Sequence, residues 1–134
     1  MSSFHLEILT PFGHYFNGDA DYLEFRNPDG VLGILPHHTP IITPVVLCKI
    51  VIKINGKRHA YATTGGLFNM KKDGSASLML NTIERSDEID VERARQAKAR
   101  AQARIDAHKD NLNLQRAEDA IKRAENRIKV ATDK

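Results

Sequence analysis

Four arginines in the last third of the sequence have the spacing that best fits chemistry. Arg93 and Arg100 lie seven residues apart, and Arg123 and Arg127 four apart, so on helices each pair shares a face. If the chain reverses near Asp110, Arg93 and Arg127 are each about seventeen residues from the turn and end level with one another. Arg100 and Arg123 then fall nearby. Guanidinium groups converging across two helices suit the oxygens of a phosphate chain, particularly beside a helix start with free amides. A solvated basic face satisfies the same pattern and is the plainer reading of spacing alone. Asp90, ahead of Val91-Glu92-Arg93, is likewise most simply a helix N-cap.

The other reactive side chains are poorly grouped. Gly30-Val31-Leu32-Gly33 is a turn entering a strand, because no helix start follows to cradle a phosphate. His37 and His38 are adjacent between Pro36 and Pro40, and neighbours on an extended chain point to opposite sides, so one metal would rarely take both. Thr63-Thr64-Gly65-Gly66 has no histidine or lysine close in sequence to activate a hydroxyl. Cys48 is the sole cysteine, which excludes an internal disulfide and fits a reducing compartment.

The elements that must position these residues divide into two kinds. Up to Ile83 much of the chain alternates in period two: Phe4, Leu6 and Ile8 against His5 and Glu7, then Cys48, Ile50, Ile52 and Ile54 against Lys49, Val51 and Lys53. Asp29-Gly30, Asn55-Gly56 and Asp73-Gly74 supply tight turns, and all five prolines fall in this half. Short, evenly spaced strands predict a sandwich or flattened barrel.

From Glu84 on, glycine, proline and aromatic residues vanish and 24 of 51 positions are charged, 13 basic and 11 acidic, which predicts helix. Leu114, Ala117, Ile121, Ala124, Ile128 and Ala131 form a seam for one partner helix, matched by Ala94, Ala97, Ala101, Ile105 and His108. His108-Lys109-Asp110-Asn111 turns the chain between them. Such a seam is weak, since alanine lacks three carbons of leucine at about 0.8 kcal/mol each. An element so lightly closed can be biased by a ligand.

Composition narrows the function classes. The 134 residues suffice for one modest domain with an appendage. A net charge of +3, from 20 basic and 17 acidic side chains, is near balance. A nucleic-acid module therefore rests on the arginines alone, and the second half has no aromatic residue for base stacking. The N-terminus Met1-Ser2-Ser3-Phe4-His5 lacks a signal-peptide pattern, and no apolar run approaches the ~20 residues needed to cross a bilayer. A soluble intracellular chain, meeting a membrane only through partners, is the expectation.

Gly33-Ile34-Leu35-Pro36-His37-His38-Thr39-Pro40, then Gly65-Gly66 after a strand, then an Ala/Arg-rich hairpin, together resemble the epsilon subunit of the bacterial rotary ATP synthase. The resemblance spans essentially the whole chain. It implies an α+β architecture, with a β-sandwich of about ten strands over residues 1–84 and a regulatory two-helix hairpin over 85–134. It also implies a non-catalytic place in the central stalk, on gamma and the c-ring and near the alpha and beta subunits, at the cytoplasmic face of the cell membrane.

A narrower resemblance lies in Ile89-Asp90-Val91-Glu92-Arg93-Ala94, which is similar to the Ile-Asp-x-x-Arg-Ala motif of Bacillus-type epsilon subunits that bind ATP. Carried onto this sequence, the ATP site comprises Glu84, Ile89, Asp90, Arg93, Ala94, Arg100, Arg123 and Arg127. Arginines hold the phosphates, and Glu84 and the Ile89-Asp90 backbone meet the adenine; Mg²⁺ is compatible but not required. The resemblance further implies a hairpin that is folded with ATP and extended without it, stopping ATP hydrolysis when extended. A purely structural coupling subunit is the alternative. Two departures stand out: Leu67, where the family often has phenylalanine, expected to be a packing variation, and Glu92, at a position free to vary.

Overall fold

The structure, a computed structural model, describes residues 2–107 and 111–133. Ten strands lead into two helices: β1 Phe4–Thr10, β2 Gly13–Ala20, β3 Tyr22–Asn27, β4 Gly30–Ile34, β5 Ile41–Val45, β6 Cys48–Ile54, β7 Lys57–Thr63, β8 Gly66–Met70, β9 Ala76–Leu80 and β10 Glu84–Arg85. A single 3₁₀ turn, Ser86–Glu88, precedes α1 Val91–Asp106 and α2 Asn111–Thr132. The chain forms two compact units, residues 1–85 and 86–134.

The first unit is a sandwich of two five-stranded sheets with strand orders β2-β1-β9-β8-β5 and β10-β7-β6-β3-β4. All pairings are antiparallel except β1 with β9. Period-two alternation sends Phe4, Leu6 and Ile8 into the core and leaves His5 and Glu7 outside. Cys48, Ile50 and Ile52 are buried, but so is Val51, expected on the opposite face, while Ile54 is half-buried. Phe25 and Phe68, one from each sheet, meet with ring centroids 5.0 Å apart at the centre of this core. Burial pushes the Cys48 thiol pKa up, against a smaller opposing contribution from the Arg26 backbone N–H at 3.5 Å.

Turn chemistry closes the hairpins as the sequence predicts. Asn55 and Gly56 both take positive φ, 52° and 77°, the combination a two-residue hairpin turn needs. The Gly65-Gly66 pair is a packing requirement: a Cβ on Gly66 would run into the Met79 carbonyl, and one on Gly65 would lie 2.7 Å from the Val45 carbonyl. Thr63, expected as a strand end, is buried with its hydroxyl donating to the Thr82 carbonyl at 2.7 Å and accepting from the Gly65 N–H. His37 sits at φ 68°, so the His37-His38 segment is kinked, not extended.

Two expectations need correction. Leu67 is 37% exposed and faces outward, whereas its neighbour Phe68 fills the core, so core packing does not set the residue at 67. Pro44, Leu67, Met79 and Leu9 instead fall in register as an outward row across four strands. Glu84 and Arg85 are not helical but pair as β10 with Ala62 and Tyr61 of β7. A sheet edge offers those two residues backbone partners that a charge-rich composition does not reveal.

This alternation predicts a contrast between adjacent residues. Phe68→Ala should lower the unfolding free energy by about 3–5 kcal/mol, while Leu67→Ala should change it by no more than about 1 kcal/mol. Urea titrations of the two variants measure both, and equal losses would mean the strand faces are misassigned.

Candidate functional site

The helical unit builds its site from the start of α1. Asp90 has extended backbone angles and its carboxylate accepts the Arg93 N–H at 3.0 Å, while its carbonyl accepts the Ala94 N–H. The capping expectation is met in full. Ile89 and Ala94 occupy the positions of a hydrophobic staple, one before the cap and four into the helix, and both are buried. Three residues of the sequence-derived site, Ile89, Asp90 and Ala94, thus also fix where and how α1 begins.

The seam then sets how the helices face each other. Ala94 and Ala101 of α1 and Ala117 and Ala124 of α2 are buried, with Ala97, Ile105, Leu114, Ile121, Ile128 and Ala131 half-buried beside them. Val130 is fully buried without belonging to the expected stripe. The expected turn and His108 lie outside the described residues. α1 and α2 pack against one another.

One ion pair identifies the flanks. Lys98 Nζ lies 3.9 Å from Glu125 Oε1, so these residues mark one side of the seam. At about 100° per residue, Arg93 and Arg100 on α1 and Arg123 and Arg127 on α2 all fall on the opposite side. The four arginines therefore share one flank, with Arg93 and Arg127 level, as spacing alone had allowed. Arg93, Arg100 and Arg123 are exposed and Arg127 is half-buried. No ion pair to Arg93, Arg100 or Arg123 occurs among the described residues.

Glu84, the remaining member of the sequence-derived site, belongs to the first unit. It is half-buried on β10 and borders a cleft of about 450 Å³ together with Phe12, Tyr15, Asn81 and Ile83. Phe12 is almost wholly exposed there, and Tyr15 packs edge-on against Tyr61 with centroids 6.1 Å apart. Among the described residues no three His, Cys, Asp or Glu side chains converge as metal ligands.

Spacing missed two residues. Arg104 and Arg116 are exposed, and the same rotation of about 100° per residue puts both on the arginine flank. They are level with one another, like Arg93 and Arg127. The signal was present as the steps from Arg100 to Arg104 and from Arg116 to Arg123, but it has no direction until the seam and the Lys98–Glu125 pair define the flanks.

Comparisons with known proteins follow both units. The beta-sandwich domain of the ATP synthase delta/epsilon chain matches residues 3–86, and the long alpha-helix domain of the same chain matches residues 87–132. The ATP synthase epsilon chain of Ruminococcus albus is 37% identical over 134 residues, covering all of both chains. Those of Halalkalibacterium halodurans and Bacillus licheniformis are each 35% identical over at least 98% of both chains. Among solved structures, a chain of the Euglena gracilis mitochondrial ATP synthase (OSCP/F1/c-ring) superposes with a TM-score of 0.82 at 18% identity, covering 93% of this chain and 79% of that one. A chain of the Tetrahymena thermophila mitochondrial ATP synthase central stalk and c-ring gives 0.67 at 12% identity, covering 98% of each. At these identities the superpositions speak for the fold.

The cap yields a direct prediction. Asp90→Ala should cost about 1 kcal/mol of helix stability, read as lower thermal stability of the helical circular dichroism signal, whereas Asp90→Asn, which can still accept the Arg93 N–H, should recover most of it.

Proposed function

The chain belongs to the ATP synthase epsilon-chain family, and from that premise we propose that it is a non-catalytic regulator in the central stalk whose helical hairpin binds ATP. In this reading the β-sandwich ties gamma to the c-ring at the cytoplasmic face of the membrane. The hairpin is the moving part. The observation that carries the proposal is the set of arginines Arg93, Arg100, Arg123 and Arg127 on one flank of the hairpin, three of them exposed and without an ion pair among the described residues.

Planar guanidinium forks grip phosphate oxygens in pairs, and Arg93 and Arg127 reach across from opposite helices. A triphosphate between them links α1 to α2. Ile89, Asp90 and Ala94 order the start of α1 and so hold Arg93 in place; the Ile89-Asp90 backbone is then available to the base. Mg²⁺ is not needed, since the site is already cationic.

ATP at about a hundred times its dissociation constant stabilises the closed hairpin by roughly 2.7 kcal/mol. That matches the few methylenes, at about 0.8 kcal/mol each, by which an alanine seam falls short of a leucine one. Without ATP the hairpin extends along gamma into the catalytic head, where its basic residues meet acidic segments of the beta subunits and stop hydrolysis. The regulator performs no chemistry itself.

Two measurements test this. Titration of the purified chain with fluorescent or radiolabelled ATP should show saturable binding, weakened at least tenfold in the Arg93→Ala, Arg127→Ala double variant, since each charge-assisted hydrogen bond is worth about 1.5–3 kcal/mol. Equal binding by both proteins, or none by either, removes the site. In the reconstituted catalytic head, deleting residues 85–134 should raise ATP hydrolysis at low ATP. Unchanged hydrolysis would leave only a structural coupling role.

A further inference from the structure

The arginine flank is longer than a nucleoside triphosphate needs. Between residues 91 and 132 the chain has seven arginines, and six of them, Arg93, Arg100, Arg104, Arg116, Arg123 and Arg127, lie on the side of the seam away from Glu125. Arg95 is the exception. The described lysines of the hairpin, Lys98, Lys122 and Lys129, fall on the other side, as do the carboxylates Asp106, Glu118 and Glu125, whereas Asp119, three residues after Arg116 and four before Arg123, borders the arginines. With Arg95 as the exception, arginine and lysine are thus sorted between the flanks.

The six arginines form a ladder. Arg93 and Arg127 are level at the open end; Arg100 and Arg123 follow; Arg104 and Arg116 are level again nearer the turn. Arg93 and Arg104 are about 16 Å apart along the axis at 1.5 Å per residue. Arg104 and Arg116 are exposed and have no ion pair among the described residues. Like charges at such spacing repel one another and cost stability unless a counter-anion lies along them.

We propose that this flank is a binding site for extended phosphate chains, of the class of inorganic polyphosphate, in which Arg104 and Arg116 hold phosphates that lie beyond the reach of a nucleoside triphosphate. The inference rests on the nucleotide reading for the four arginines nearer the open end and adds the remaining pair. Guanidinium forks grip phosphate and carboxylate oxygens alike; continuity with the phosphate-holding arginines of the open end is what favours phosphate along the rest of the flank. A polymer on this ladder bridges α1 and α2 along much of their length and so favours the closed hairpin.

The test titrates the full chain with ATP, inorganic tripolyphosphate, long-chain polyphosphate and polyglutamate at one ionic strength. Wild type should bind long-chain polyphosphate about tenfold or more tighter than tripolyphosphate, as two further charge-assisted contacts require. The Arg104→Gln, Arg116→Gln variant should lose that excess and keep its ATP affinity. Equal affinity for the two phosphate chains, or an excess that survives in the variant, overturns the proposal. Polyglutamate bound as tightly as long-chain polyphosphate overturns the phosphate assignment in favour of an acidic protein segment. Absent ATP binding together with a long-chain excess that depends on Arg104 and Arg116 would sink the nucleotide reading and leave this one standing.

Discussion

Four alanines decide the geometry of the helical unit. Ala94 and Ala101 on α1 and Ala117 and Ala124 on α2 are buried, and small side chains at a helix contact let the axes approach closely. Close approach brings side chains flanking the seam on one helix within reach of those on the other. The Lys98–Glu125 pair is one result, and the facing arginines are the other. A leucine seam would hold the helices more firmly and further apart. The same choice of residue therefore sets the two arginine-bearing faces side by side and keeps their closure weak.

The start of α1 is ordered by one short stretch. Asp90 closes the N-terminus through the Arg93 amide, with Ile89 and Ala94 buried around the cap. Arg93 takes its backbone position from that cap, leaving its guanidinium for the flank. Nothing in these local interactions depends on a nucleotide, which is why the motif Ile89-Asp90-Val91-Glu92-Arg93-Ala94 reads equally well as plain helix initiation.

The β unit contrasts in rigidity. Its core joins Phe25 and Phe68 across the sandwich, and Gly65-Gly66 lets β8 pass close to the backbones of β5 and β9 where any side chain would collide. Its outward row of Leu9, Met79, Leu67 and Pro44 leaves apolar surface on one sheet.

The sequence by itself determined the alternation over residues 4–8, the tight turns, the two-part division of composition, the cap at Asp90 and the heptad-like spacing of both helices. These rest on local rules: period two for a half-buried strand, positive φ at Asn55-Gly56, a carboxylate within reach of the amide three residues on. Tertiary structure alone decided the rest. Glu84 and Arg85 became a strand because β7 offered an open edge; Leu67 turned outward because Phe68 took the core; Val130 was buried off the expected stripe. Which flank each arginine occupies, and that Arg104 and Arg116 join the other four, follows only once the seam and the Lys98–Glu125 pair set the rotation of both helices. Spacing along one helix fixes relative angles within that helix, and only packing against a second helix gives those angles a direction.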